Sequence, residues 1–148
     1  MDLNTGGSPD NQINRSQDSV PYVTNLRQEA LNNTHFFASR WTSKNMQYAH
    51  MSIPVATETG LDVHYNSEQF FYIEQGEALA IMGFCQECLD IQTHIYKGHA
   101  IIVPAGIWHN VVNISNLDLK MYTIYAPAFH NYNTVYNTQE EWFGHYEY

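Results

Sequence analysis

Two short segments of this chain carry side chains able to do metal chemistry. The first is Gly60-Leu-Asp62-Val-His64-Tyr-Asn-Ser-Glu68-Gln69, closed downstream by Gly76. The second runs from Gly98 through Pro104-Ala-Gly106-Ile-Trp-His109 to Asn113. In an extended strand alternate residues share a face, so Asp62 and His64 point the same way. Gln69 shares a face with Phe71 and Ile73 after a turn at residues 65–67, and His109 shares one with Ile107 and Val111 after a Pro-x-Gly turn. If the two segments lie adjacent and antiparallel, Asp62, His64, Gln69 and His109 converge inside a barrel. Two imidazoles and a carboxylate suit Fe(II), Mn(II), Zn(II), Ni(II) or Co(II) and are too nitrogen-rich for calcium or magnesium. Three or four protein ligands leave coordination positions open for water or substrate. Each residue also has a plainer role. His64 and His109 can be hydrogen-bonded residues at a barrel mouth, Asp62 a turn residue or a carboxylate orienting His64, and Gln69 a partner of a neighbouring strand. Glu68 is expected to face solvent; it is the candidate catalytic carboxylate if it touches the pocket.

Holding four such side chains together takes short, rigid elements, and the chain is built of them. From His35 onward short apolar runs alternate with turn residues every eight to twelve positions, at 35–42, 45–54, 61–65, 69–74, 77–82, 91–96, 100–104, 108–114 and 118–126. Gly60, Gly76, Gly83, Gly98 and the Pro104-x-Gly106 turn punctuate them. Nine short strands and no long helix imply an all-β sandwich or barrel. A length of 148 residues implies one domain. Residues 1–20 hold no aromatic side chain and read as a disordered tail. Residues 21–34 read as an extended and helical lead-in, with Asn25 and Gln28 at capping-box spacing. The barrel is expected over 35–138 and a C-terminal tail over 139–148. The stretch from Pro127 is expected to wrap the barrel exterior, with Trp142, Phe143, Tyr146 and Tyr148 capping a sheet edge or a homodimer interface.

Six Lys and Arg stand against fifteen Asp and Glu, a formal charge of −9. A field of that sign repels phosphate backbones and anionic lipid, which argues against nucleic-acid and membrane partners. The first residues, Met1-Asp-Leu-Asn, show no secretory pattern, and two cysteines fit a reducing compartment, so a cytoplasmic location is expected. Cys85 and Cys88 lack the second pair a structural zinc needs and are read as two free thiols in a hairpin loop. His94 and His99 are expected at the surface, and His130 can reach back toward the barrel mouth.

The second segment resembles cupin motif two, Gly-x5-Pro-x-Gly-x2-His-x3-Asn, at every defined position: Gly98, Pro104, Gly106, His109 and Asn113. The first resembles motif one with two departures. Asp62 stands where a first histidine is usual, and counting back six residues from Gly76 places Gln69 at the usual glutamate. Glu68 fits the spacing from His64 but not the spacing to Gly76. With Met51-Ser-Ile-Pro-Val and Leu119-Lys-Met-Tyr-Thr-Ile-Tyr-Ala-Pro, the chain is similar over about residues 34–138 to small bacterial single-domain cupins, many labelled mannose-6-phosphate isomerase-like. The resemblance implies a double-stranded β-helix, or jelly-roll barrel, and a divalent transition metal on Asp62, His64, Gln69 and His109. It leaves two functions open: a metal-dependent isomerase, lyase or dioxygenase-type enzyme acting on a small polar metabolite such as a sugar or organic acid, or a non-catalytic binding, sensing or structural module. Gln69 cannot act as a general base, and only Arg40, Lys44, Lys97 and Lys120 could clamp a phosphate, which weighs against a phosphorylated substrate.

Overall fold

The computed structural model describes residues 20–144. Within them run α1 (Leu26–Asn32), β1 (Phe37–Thr42), β2 (Gln47–Ile53), β3 (Glu68–Gln75), β4 (Glu77–Gly83), β5 (Ile91–Tyr96), β6 (Ala100–Val103), β7 (Trp108–Asn113), β8 (Leu119–Ala126), β9 (Val135–Tyr136) and α2 (Gln139–Phe143). The strands form two antiparallel sheets, ordered β6-β3-β8-β2-β1-β9 and β5-β4-β7. This is the all-β jelly-roll barrel expected. The N-terminal tail expected over 1–20 lies outside the described residues except for Val20, as do residues 145–148 of the C-terminal tail.

Alternation fixes which side chains meet between the sheets. Gln69, Phe71 and Ile73 of β3 are buried, as are Ala78 and Ala80 of β4 and His109, Val111 and Asn113 of β7. β2 is buried at every position. Its Ala49, Met51 and Ile53 enter the core, while the alternate residues Tyr48, His50 and Ser52 lie beneath α1, which packs on β2, β3 and β8. Burying each large apolar side chain in that core contributes about 1.5–3 kcal/mol. α1 begins where expected, because the Asn25 carboxamide oxygen accepts from the Gln28 N–H at 3.0 Å.

Three expectations change. Residues 61–65 form no strand; Asp62 meets β7 through a single isolated bridge to His109. The segment past Pro127 does more than wrap the outside. Trp142 on α2 is buried against Phe36 and Phe37, and its indole N–H donates to the Thr59 carbonyl at 2.7 Å. Cys85 and Cys88 are joined as a disulfide and are not free thiols; the β4–β5 turn brings their Cα atoms to 5.1 Å, within bonding reach.

Candidate metal centre

The main chain assembles the site before the side chains do. Residues 57–64 run antiparallel to β7 and are laced to it at unequal intervals. Asn113 N–H donates to the Thr57 carbonyl (3.0 Å), and Thr59 N–H to that of Val111 (2.9 Å). Asp62 and His109 exchange both main-chain bonds at 2.9 Å, and Gly106 N–H donates to the His64 carbonyl at 2.8 Å. Between Thr59 and Asp62 this segment advances three residues while β7 advances two. The extra residue is taken up beside Gly60, whose φ of +89° lies in the left-handed region. A Cβ there would also stand 2.7 Å from the Phe143 ring. The resulting bulge sets Asp62 opposite His109. Asp62 and His64 both point inward, but lacing and not strand alternation puts them there, since the intervening Val63 is buried as well.

All four expected ligands are buried: Asp62 is 6 % exposed, His64 5 %, Gln69 4 % and His109 4 %. One Asp62 oxygen, Oδ1, accepts from Val63 N–H at 2.8 Å. The other lies 3.7 Å from His64 Nε2. That exceeds hydrogen-bond range and is close to the separation of two donors sharing one ion, about 3–3.6 Å for bonds of about 2.1 Å. His109 Nδ1 donates to the Ile107 carbonyl at 3.0 Å, which leaves the lone pair on Nε2. Burial lowers the His109 pKa, against the opposing pull of that carbonyl and of Asp62, so the ring is held neutral as a ligand must be. The two imidazole rings lie 5.1 Å apart. Gln69 donates from Nε2 to Thr123 Oγ1 at 2.9 Å, while its carbonyl oxygen is buried without a hydrogen-bond partner. Such an orphan costs about 1–3 kcal/mol, which coordination to a cation would recover.

These side chains, with Met51, Phe71 and Tyr125, enclose a cavity of about 10 Å³. That is room for one ion or one water. Among the described residues no three His, Cys, Asp or Glu side chains already close on one metal position. Asp62, His64, Gln69 and His109 line the cavity and are the residues that would hold such an ion. The donor types and the orphaned Gln69 oxygen fit a divalent transition metal. Glu68 is exposed at the start of β3 and does not line the cavity. His94 is exposed and bonded to Glu77 at 2.9 Å; His130 sits among Phe37, Tyr125 and Trp142, with Phe129 between it and His64.

Thr123 and Phe129 escaped the sequence reading, and Tyr125 and Trp142 were expected only as packing residues. Thr123 and Tyr125 carry the inward period of β8, a signal that alternation with Met121 could have supplied. Tyr125 is fully buried, and burial together with the Asp62 charge keeps its phenol protonated. From beyond β8, where nothing local marks them, Trp142 lines the cavity and Phe129 packs on the His64 ring at 4.1 Å.

The Cupin domain family matches residues 49–125, a span that holds all four expected ligands. The uncharacterized protein YrkC of Bacillus subtilis is 37% identical over 140 residues, covering 95% of this chain and 75% of its own length. The crystal structure of BH2720 from Bacillus halodurans superposes with a TM-score of 0.85 at 37% identity, over 87% of this chain and 98% of that one. Bacillus subtilis oxalate decarboxylase, whose solved structure is described by its Mn(II) centres, shares the fold at 14% identity and a TM-score of 0.53, over 64% of this chain and 24% of that one. A family match across both ligand segments, and a likeness to whole chains that extends beyond it, make this chain a member of the cupin domain family.

Proposed function

We propose that this cupin binds a divalent transition metal (Fe, Mn, Zn, Ni or Co) on Asp62, His64, Gln69 and His109. In this reading the metal serves an isomerase, lyase or dioxygenase-type reaction on a small polar metabolite such as a sugar or organic acid. The observation that carries the proposal is the orphaned Gln69 carbonyl oxygen, buried beside a carboxylate and two imidazoles around an ion-sized cavity. When bound, the metal supplies a Lewis acid that polarises a substrate oxygen. The chain's own part is to orient the donors through the Asp62–His109 main-chain pair, to hold His109 neutral, and to exclude water with Phe129 and Trp142. Sugar-phosphate isomerisation is disfavoured, because no Lys or Arg lines the cavity and Lys120 is already bonded to Ser52 and the Asn33 carbonyl. We assign the protein to the cytoplasm, an assignment against which the Cys85–Cys88 disulfide weighs, because thiols are kept reduced there. Its partners would be a small-molecule ligand and a second copy of the chain, and neither nucleic acid nor membrane.

One observation favours the second reading, a non-catalytic binding, sensing or structural module: the cavity admits an ion or a water but no metabolite. Elemental analysis of protein purified without added metal tests the shared premise. About one equivalent of transition metal is expected in the parent and none in His109→Ala, with the barrel's circular-dichroism spectrum unchanged. Full metal content in that variant removes the site.

A further inference from the structure

On the outer face of β2, turned away from the metal residues, α1, β1 and β2 frame a cleft of about 520 Å³. Gln28, Glu29, Asn32, Thr34, Arg40 and His50 are among its walls. Its volume falls in the range that holds a metabolite, roughly 300–1,000 Å³; the barrel cavity does not. Its charges already cancel. The Glu29 carboxylate accepts from the Tyr22 and Tyr48 hydroxyls at 3.0 Å each and from His50 Nε2 at 3.2 Å, and it pairs with Arg40 at 3.3 Å. Tyr48 has one hydroxyl proton, and it points at Glu29. His50 Nε2, 2.7 Å from the same hydroxyl oxygen, must therefore carry its own proton, which leaves Nδ1 as an acceptor. Burial keeps this imidazole neutral.

Two groups are left over. His50 is 1 % exposed, and both His50 Nδ1 and Arg40 Nε are buried without a hydrogen-bond partner among the described residues. Arg40 is the extra residue of a bulge in β1, between Ser39 and Trp41. One orphaned acceptor and one orphaned donor thus belong to residues that line a ligand-sized space. Alcohol groups answer both, since a hydroxyl donates through its proton and accepts through its oxygen. An ionic guest would bring an uncompensated charge into a cleft whose own charges are spent on each other. We propose that this cleft binds a neutral polyhydroxylated small molecule of monosaccharide size. His50 and Arg40 read its hydroxyl groups, and the amides of Gln28 and Asn32 complete the rim.

The site owes nothing to the metal reading, so metal-free protein should bind equally well. The test is calorimetric titration of the full chain with D-glucose, D-mannose and myo-inositol, with D-glucose 6-phosphate as the anionic control. The His50 imidazole nitrogen resonances locate the binding. At least one neutral probe should bind with a saturable shift at His50 in the parent, and its calorimetric affinity should be unchanged in His109→Ala and lost in His50→Phe. Should His50→Phe not fold, Asn32→Leu decides, because Asn32 is exposed and its replacement leaves the core intact. That variant should weaken the same probe. No saturable shift with any neutral probe, tighter binding of the phosphorylated sugar, or parent affinity in the variants overturns the proposal.

Discussion

A glutamine at a ligand position brings a neutral carbonyl where a glutamate would bring a charge. With Asp62 as the one anion, a divalent ion in the proposed site would keep a net charge near +1, and Gln69 would hold it by a dipole alone. Converting Gln69→Glu should therefore tighten divalent-metal binding by ~10-fold or more, a difference of about 1.4 kcal/mol, in competition against a chelator. The same change should lower the melting temperature of the metal-free protein, since a buried carboxylate replaces an amide bonded to Thr123. Asp62→Ala should weaken metal binding and Glu68→Ala should leave it unaltered; the opposite pattern would move the ligand position to Glu68. These four residues were legible because the spacing of Gly60, His64, Gly76, Pro104, Gly106 and His109 records turns that only a few residue types can make. Thr123, which orients Gln69, was not legible, since a threonine in a strand has nothing to distinguish it until the sheet order sets it beside its partner.

Among the elements, strands that pair with sequence neighbours were the easiest to foresee, because alternation and turn residues are local properties. Eight of the nine expected strands form, with ends shifted by a residue or two. The failure at 61–65 is instructive. Those residues look like a strand, but the bulge beside Gly60 breaks their register with β7, so they hold the site without belonging to a sheet. β9 and α2 have two and five residues and exist only because distant partners cover them. The roof they help build is where the two functional readings separate. Phe129→Ala should leave the metal in place and open the cavity. In Mn(II)-loaded protein the relaxation rate of bulk water should rise in this variant relative to the parent. If the parent already relaxes water as fast, the site is open as it stands and the non-catalytic reading loses its support.

At the scale of the whole molecule, α1 is fastened to the barrel by charge as well as by packing. Burial alone would raise the Glu29 pKa, but hydrogen bonds from His50 and Thr24 and the Arg40 charge outweigh it and draw the carboxyl from an ordinary 4.5 down to about 2. A carboxylate depressed in this way stabilises the fold above its unfolded pKa and loses that contribution as pH falls from about 4.5 toward 2, on the order of 2–3 kcal/mol in total. His50 acts in the same direction, because its neutral buried form must take up a proton as acid is added. Glu29→Gln should melt at a lower temperature than the parent near neutral pH, with the gap closing below pH 4. A gap that persists at low pH would show that Glu29 acts by shape and not by charge. The lacing of Asp62 to His109 has a consequence of another kind. Because the peptide backbone sets where positions 62 and 109 meet, a donor can be exchanged without moving its neighbour. A frame of this sort lets descendants trade one ion or one chemistry for another while keeping the same shape, so lineage is inherited in its hydrogen-bonded scaffold and occupation in a handful of replaceable atoms.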